Sequence, residues 1–195
     1  MKIALITDQH LDGRKGSLAF WNYWQQFYDN IFFPTLEKEG IDTVIDLGDT
    51  FDNRKSMDFN TFNRVSDNYF DKLKSYKVHM LLGSHCVYYK NTNKVNSPEL
   101  LLKQYDNITI YSEPEHLKLG SKNFLMLPWI NRENQKEIFK LLETSEADVC
   151  CGHLELSGFE MNPGFLMDHG MDPKLFRRFK RVWSGHYHHK STKGN

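Results

Sequence analysis

Asp42-Thr-Val-Ile-Asp-Leu-Gly-Asp-Thr-Phe-Asp52 opens as a strand and closes on two carboxylates. Thr43, Val44 and Ile45 are β-branched and suit a pleated, half-buried surface. Gly48 marks a point where the backbone must turn tightly or approach a ligand closely, and Asp49 and Asp52 follow it. The same arrangement recurs outward along the chain. A strand-like run at 2–7 precedes Asp8-Gln9-His10, and one at 77–82 precedes Gly83-Ser84-His85. Another at 148–152 leads to Gly152-His153, and one at 181–184 to Gly185-His186-Tyr187-His188. Ligands of open α/β sheets gather outside the carboxyl ends of the strands, so five such segments are expected to place their side chains on one edge of one sheet. A mixed Asp/His set with a shared carboxylate, for which Asp49 is the central candidate, suits two divalent cations in phosphate ester hydrolysis.

Further strand-like runs lie at 108–111, 115–119 and 123–128, with helical patterns between most strands. Residues 17–38 carry Leu18, Trp21, Trp24, Phe27, Tyr28 and Ile31 at spacings of three and four, a broad apolar face. Pro34 is expected to kink or end that helix. Residues 58–75 repeat the pattern with Phe59, Phe62, Val65, Tyr69, Phe70 and Leu73. Ser97-Pro98 reads as an N-cap and first helical residue of a helix running through Gln104, and Asn131 as the cap of a helix over 132–144. Strands alternating with helices over 1–82 mean a largely parallel sheet, whereas the close-set strands of 106–128 around Gly120 read as antiparallel. The expected fold is mixed α/β with two sheets, in one domain over 1–195. The polar stretch Lys190–Asn195 after the last strand suggests that the domain is incomplete at its C-terminus.

Lysine and arginine number 25, as do aspartate and glutamate, so the formal charge is zero. This gives no support for a broad cationic nucleic-acid surface, although bound cations would supply charge that a residue count misses. Three cysteines (Cys86, Cys150, Cys151) make no disulfide framework and fit a reducing compartment. The first apolar run is too short for a signal peptide or membrane span, and a cytoplasmic protein is the expectation, with no membrane partner.

Taken singly, the residues say little. Asp8 alone is more often an N-cap or turn residue, Gly48-Asp49 a turn, and His153 a satisfied core histidine. Gly-His-x-His is more telling, because imidazoles at i and i+2 after a strand point the same way. His79, His116, His169 and His189 read as structural, and Arg177–Arg181 as a solvated helix end.

Together the segments resemble the calcineurin-like metallophosphoesterases: Asp-x-His, Gly-Asp-x-x-Asp, Gly-Asn-His-Asp/Glu, Gly-His and Gly-His-x-His, in that order. Asp8–Leu11, Gly48–Lys55, Leu127-Pro128-Trp129, Gly152–Phe159 and Val182–His188 are similar to the nuclease subunits of SbcCD-type repair complexes, especially those of T4-like bacteriophages. The resemblance covers essentially the whole chain. It implies an α/β two-sheet mixed sandwich flanked by helices, two Mn2+ ions and DNA phosphodiester cleavage, exonucleolytic and endonucleolytic, in recombination and repair, in the host cytoplasm if the source is a phage. It also implies an SMC-like ATPase partner and allows a homodimer. By the resemblance, Asp8, His10, Asp49 and His188 hold one metal, and Asp49, Ser84, His153 and His186 the other. His85 is the general acid, oriented by Asp52 or its neighbourhood. Two positions depart from the pattern. Ser84 replaces an asparagine whose carbonyl is a better ligand than a hydroxyl, so the second ion is expected to bind weakly. Cys86 replaces an acid and reads either as an inert apolar residue or as a soft ligand for zinc. A phosphomonoesterase and a catalytically impaired scaffold are the rival readings.

Overall fold

The computed structural model describes residues 1–162 and 164–192. Its framework is two four-stranded sheets. The first has the order β1-β2-β3-β4, formed by Ala4–Ile6, Thr43–Asp46, Lys77–Leu81 and Ile108–Tyr111. The second has the order β10-β7-β6-β5, formed by Arg181–Gly185, Val149–His153, Lys122–Leu127 and Glu115–Leu119. Every pairing in the first sheet is parallel, as are β6 with β7 and β7 with β10. Only β5 and β6 in these sheets run antiparallel, around the two-residue turn at Gly120, where φ is 59°.

Alternation along the strands assigns each face. Ile45, Leu81, Tyr111, Phe124, Met126, Val149 and Cys151 meet between the two sheets. Val44, Val78 and Met80 face the other way, onto Trp21, Tyr28, Phe33, Tyr69 and Phe70 of the two long helices. Leu125, Leu127 and Cys150 pack on Ile138 and Leu142 of the helix Gln135–Thr144. The layers are therefore helix, sheet, sheet, helix, the sandwich expected, with parallel strands buried on both faces as such strands require.

Several expectations need correction. β4 joins the first sheet in parallel and is not part of an antiparallel run. The ligand-bearing strands are divided between two sheets, three in one and two in the other, so the site is not the edge of one sheet. Pro34 does not stop the first helix. Leu18–Phe27 passes into a π-helical turn, Tyr28–Phe32, and on into Phe33–Glu39. The wider turn lets Phe33 N–H reach the Tyr28 carbonyl just before the proline, which has no N–H to place. The second long helix, Phe59–Leu73, carries a similar π turn at Ser66–Phe70.

The cap of the short helix Ser97–Leu101 is Asn96, whose side chain accepts from Glu99 N–H; the helix ends before Gln104. Asn131 ties up a preceding turn, accepting from Glu133 and Asn134 N–H, so its helix begins three residues later than expected, at Gln135. A small hairpin, Glu160–Asn162 with Phe165–Leu166, is absent from the sequence reading. Arg177 follows a short 3-10 helix, Pro173–Phe176. Of the polar tail, residues 193–195 lie outside the described residues. No helix among the described residues is long and apolar enough to cross a membrane.

Candidate metal centre

The ligand candidates stand where parallel strands of both sheets end. Ile6 pairs with Asp46 and Asp46 with Met80, so the chain turns out of β1, β2 and β3 at the same level. In the second sheet Gly185 pairs with His153. The two ends meet: His153, the last residue of β7, donates from Nδ1 to the Leu47 carbonyl beyond β2 at 2.9 Å, and the backbone N–H of His186 reaches the Asp8 carboxylate at 3.1 Å.

Three groups of possible ligand atoms form there, the atoms of each all within 4.8 Å of one another: Asp8 with His10 and His188, Asp49 with His153 and His186, and His10 with Asp52 and His85. In the first, His10 Nε2 and His188 Nε2 are 3.2 Å apart, and His188 Nε2 is 3.5 Å from Asp8 Oδ1. In the second, His153 Nε2 lies 3.1 Å from Asp49 Oδ2, which also accepts from Ser84 Oγ at 3.3 Å; Asp49 Oδ1 accepts from His85 N–H at 2.7 Å. Asp49 falls in the second of these groups and not in the first. Thus all nine residues picked out from the sequence converge on one region. Asp52 meets both rings: its carbonyl accepts from His85 Nδ1 at 2.8 Å, and its carboxylate lies 3.0 Å from His10 Nδ1 and 3.6 Å from His85 Nδ1.

The backbone is strained to achieve this. Asp8, His10, Asp49 and His186 all have positive φ, of 51°, 46°, 52° and 98°, each costing about 1–3 kcal/mol in a non-glycine residue. Two glycines permit the close approach. A Cβ on Gly83 would lie 2.1 Å from Asp49 Oδ1, and one on Gly185 would lie 2.1 Å from Thr7 Oγ1 and 2.9 Å from Asp8 Oδ2.

The site fits divalent cations on its own geometry. With Nδ1 bonded to Leu47, neutral His153 turns a lone pair on Nε2 toward the Asp49 carboxylate. Both side chains are almost fully buried, and Nε2 has no hydrogen-bond partner. Two electron-rich atoms held this close require a proton or a cation between them. Cys86 does not serve as a soft ligand. It is buried among Leu82, Val87, Ile110 and Trp129, and burial, reinforced by the Asp49 charge, pushes its thiol up to about 12. A neutral thiol there is inert apolar filling.

Three contributors had no role at the site assigned from the sequence. Trp129 walls the second cluster, its ring 5.5 Å from His186 and 6.0 Å from His153. Buried Asp12 accepts from Asp52 N–H at 2.6 Å and Asn53 N–H at 3.2 Å, linking the first two loops. Asp46, also buried, was detectable only as a charge inside the apolar run Val44–Leu47.

Protons compete with cations here, and the sign of the effect can be worked out. Burial opposes the charge on His153, but neighbouring Asp49 outweighs it and raises the imidazole above its usual value. Contact with Asp8 raises His188. Burial raises Asp46 to about 7. Groups raised by folding hold protons that the unfolded chain has released, so stability falls as pH climbs through their range. Burial lowers His186 to about 4, which acts oppositely, but only below the usual histidine value of 6.5. Metal-free protein should therefore lose melting temperature as pH rises above the usual histidine value of 6.5. Saturating Mn2+ should remove that fall, since ligands bind it deprotonated. Thermal melts with chelator and with Mn2+ measure both; equal slopes would contradict the expectation.

This constellation on a two-sheet sandwich defines a binuclear metallophosphoesterase arrangement. The chain belongs to the calcineurin-like phosphoesterase family, whose pattern it matches over residues 1–190. It is similar to exonuclease subunit 1 of Enterobacteria phage T4, at 35% identity over 161 residues, 82% of this chain and 47% of the relative. The chain thus spans about half the length of that relative. Among solved structures, a novel archaeal phosphodiesterase aligns with a TM-score of 0.44 at 14% identity, covering 86% of this chain and 81% of the other. The Pseudomonas putida nuclease MPE aligns with a TM-score of 0.40 at 22% identity, covering 64% and 51%.

Proposed function

We propose that the chain is the catalytic part of a Mn2+-dependent DNA phosphodiesterase, acting as exonuclease and endonuclease in recombination and repair. The observation that carries this reading is the pair of adjoining Asp/His clusters at the strand ends, with His85 beside them. Asp8, His10 and His188 would hold one ion; Asp49, His153 and His186, with Ser84 alongside, would hold the other, and Asp49 is the carboxylate proposed to be shared. When bound, such ions acidify an attacking water and neutralise charge on the phosphate.

The remaining work falls to side chains. The Asp52 carbonyl holds His85 through Nδ1 and leaves Nε2 with no hydrogen-bond partner among the described residues. A protonated His85 can then give its Nε2 proton to the departing oxygen. Asp52 turns its carboxylate to His10 Nδ1, fixing that ring's orientation. DNA as substrate is supported by the similarity to a phage exonuclease subunit, and that relative's being a subunit supports a partner chain, which we propose to be an SMC-like ATPase. The unit is proposed to be one metallophosphoesterase domain over residues 1–195.

A calorimetric Mn2+ titration, paired with cleavage assays on the same samples, tests the assignment. Two ions should bind, the second more weakly because Ser84 offers only a hydroxyl. DNA and a generic phosphodiester should be cut, and a monoester hardly at all. Preference for the monoester would move the chain to the phosphatases, and metal binding without turnover would make it a scaffold.

A further inference from the structure

Beneath the ligands lies a buried polar cluster with no place in the assignment above. Asp46 Oδ2 accepts from Gln9 Nε2 at 2.9 Å and Thr50 Oγ1 at 2.7 Å, and its Oδ1 accepts from Gly48 N–H at 3.0 Å. Gln9 in turn accepts from Tyr28 OH at 2.5 Å. Gln9, Asp46, Thr50 and Tyr28 are all essentially inaccessible to water. Among the described residues no lysine or arginine pairs with Asp46, so its carboxylate is held in the core by neutral donors. Without another purpose this is costly, since an apolar residue would fill the strand position at no desolvation penalty.

Its partners suggest that purpose. Gln9 sits between Asp8 and His10, and Thr50 directly follows Asp49. The same two loops are zipped by backbone bonds from Asp8 N–H to Gly48, His10 N–H to Asp49 and Leu11 N–H to Thr50, each 2.9 Å. Asp8, His10 and Asp49 are in the left-handed region, which their own side chains disfavour. A residue pinned inward beside each strained ligand forces the ligand outward, toward the centre.

We infer that Asp46 is a positioning residue: through Gln9, Thr50 and Gly48 it clamps the two loops in the conformation that aims Asp8, His10 and Asp49 at the metal centre, and its buried charge favours the cations. The inference rests on the proposal that those three residues are metal ligands. Asp46 touches neither substrate nor ion.

The test is Asp46→Asn. The Thr50 hydroxyl and Tyr28 phenol can exchange donor and acceptor roles, so the amide fits sterically. Calorimetric Mn2+ affinity should fall by about 10- to 100-fold, the usual effect of losing a partner behind metal ligands. The melting temperature of the metal-free variant should not fall above neutral pH, because an uncompensated buried anion has gone. A merely structural role would lower the melting temperature and leave the Mn2+ affinity of the folded fraction unchanged. Should Asp46→Asn fail to fold, Thr50→Val, which removes one bond to the same carboxylate, should weaken Mn2+ binding several-fold. Wild-type protein that binds no Mn2+ overturns both this inference and the metal assignment. Wild type with two ions, and variants with wild-type affinity, overturns this inference alone.

Discussion

Asp49→Asn should reduce phosphodiester hydrolysis by roughly 10³-fold, the scale of removing one pre-organised electrostatic group from an active site. The change keeps the side chain's shape, so the fold should survive. The amide oxygen can still accept from His85 N–H, and the amide nitrogen can donate to His153 Nε2, settling the conflict between two electron-rich atoms 3.1 Å apart. Catalysis should not survive, because the carboxylate that burial opposes but His153 and His85 hold at about 2 is the charge the second cluster offers a cation. Turnover of a generic diester, Mn2+ stoichiometry and the metal-free melting temperature would be measured together. Near-normal turnover with two ions bound would remove Asp49 from the centre.

His85→Gln should behave differently. Loss of a general acid costs typically 10²–10⁴-fold, and the loss should fall on turnover, with Mn2+ binding intact, because His85 reaches Asp49 only through its backbone N–H, which the substitution keeps. The size of the loss should depend on the leaving group. DNA, whose departing oxygen needs a proton, should suffer fully, whereas a diester with an acidic phenol should be cleaved almost as well as by the wild type. Equal losses on both substrates would assign the proton to another group.

What could be read in the sequence was local. Val44 and Ile45 running into Gly48-Asp49, or Val182 and Trp183 into Gly185-His186, carry their own strand and turn signals within a few residues, so these strand positions and the candidate ligands at their ends were legible. Pro34 misled because its effect depends on the preceding turn, which widens into a π turn that one proline does not announce. Ser97 and Asn131 misled because several capping residues lie side by side in each segment, and backbone geometry selects among them. β4 was misplaced because strand direction depends on its neighbour, and its neighbour is β3, about thirty residues earlier.

The chain alone therefore determined which side chains could bind cations and that each would stand at a strand end, since those properties depend on side-chain chemistry and short-range periodicity. Only the tertiary structure decided that two sheets share the task and that Asp52 serves His85 through its carbonyl and His10 through its carboxylate. It also decided that Asp46 lies under both loops. These facts depend on contacts between residues tens to more than a hundred positions apart, created when the apolar faces of the two sheets close on each other.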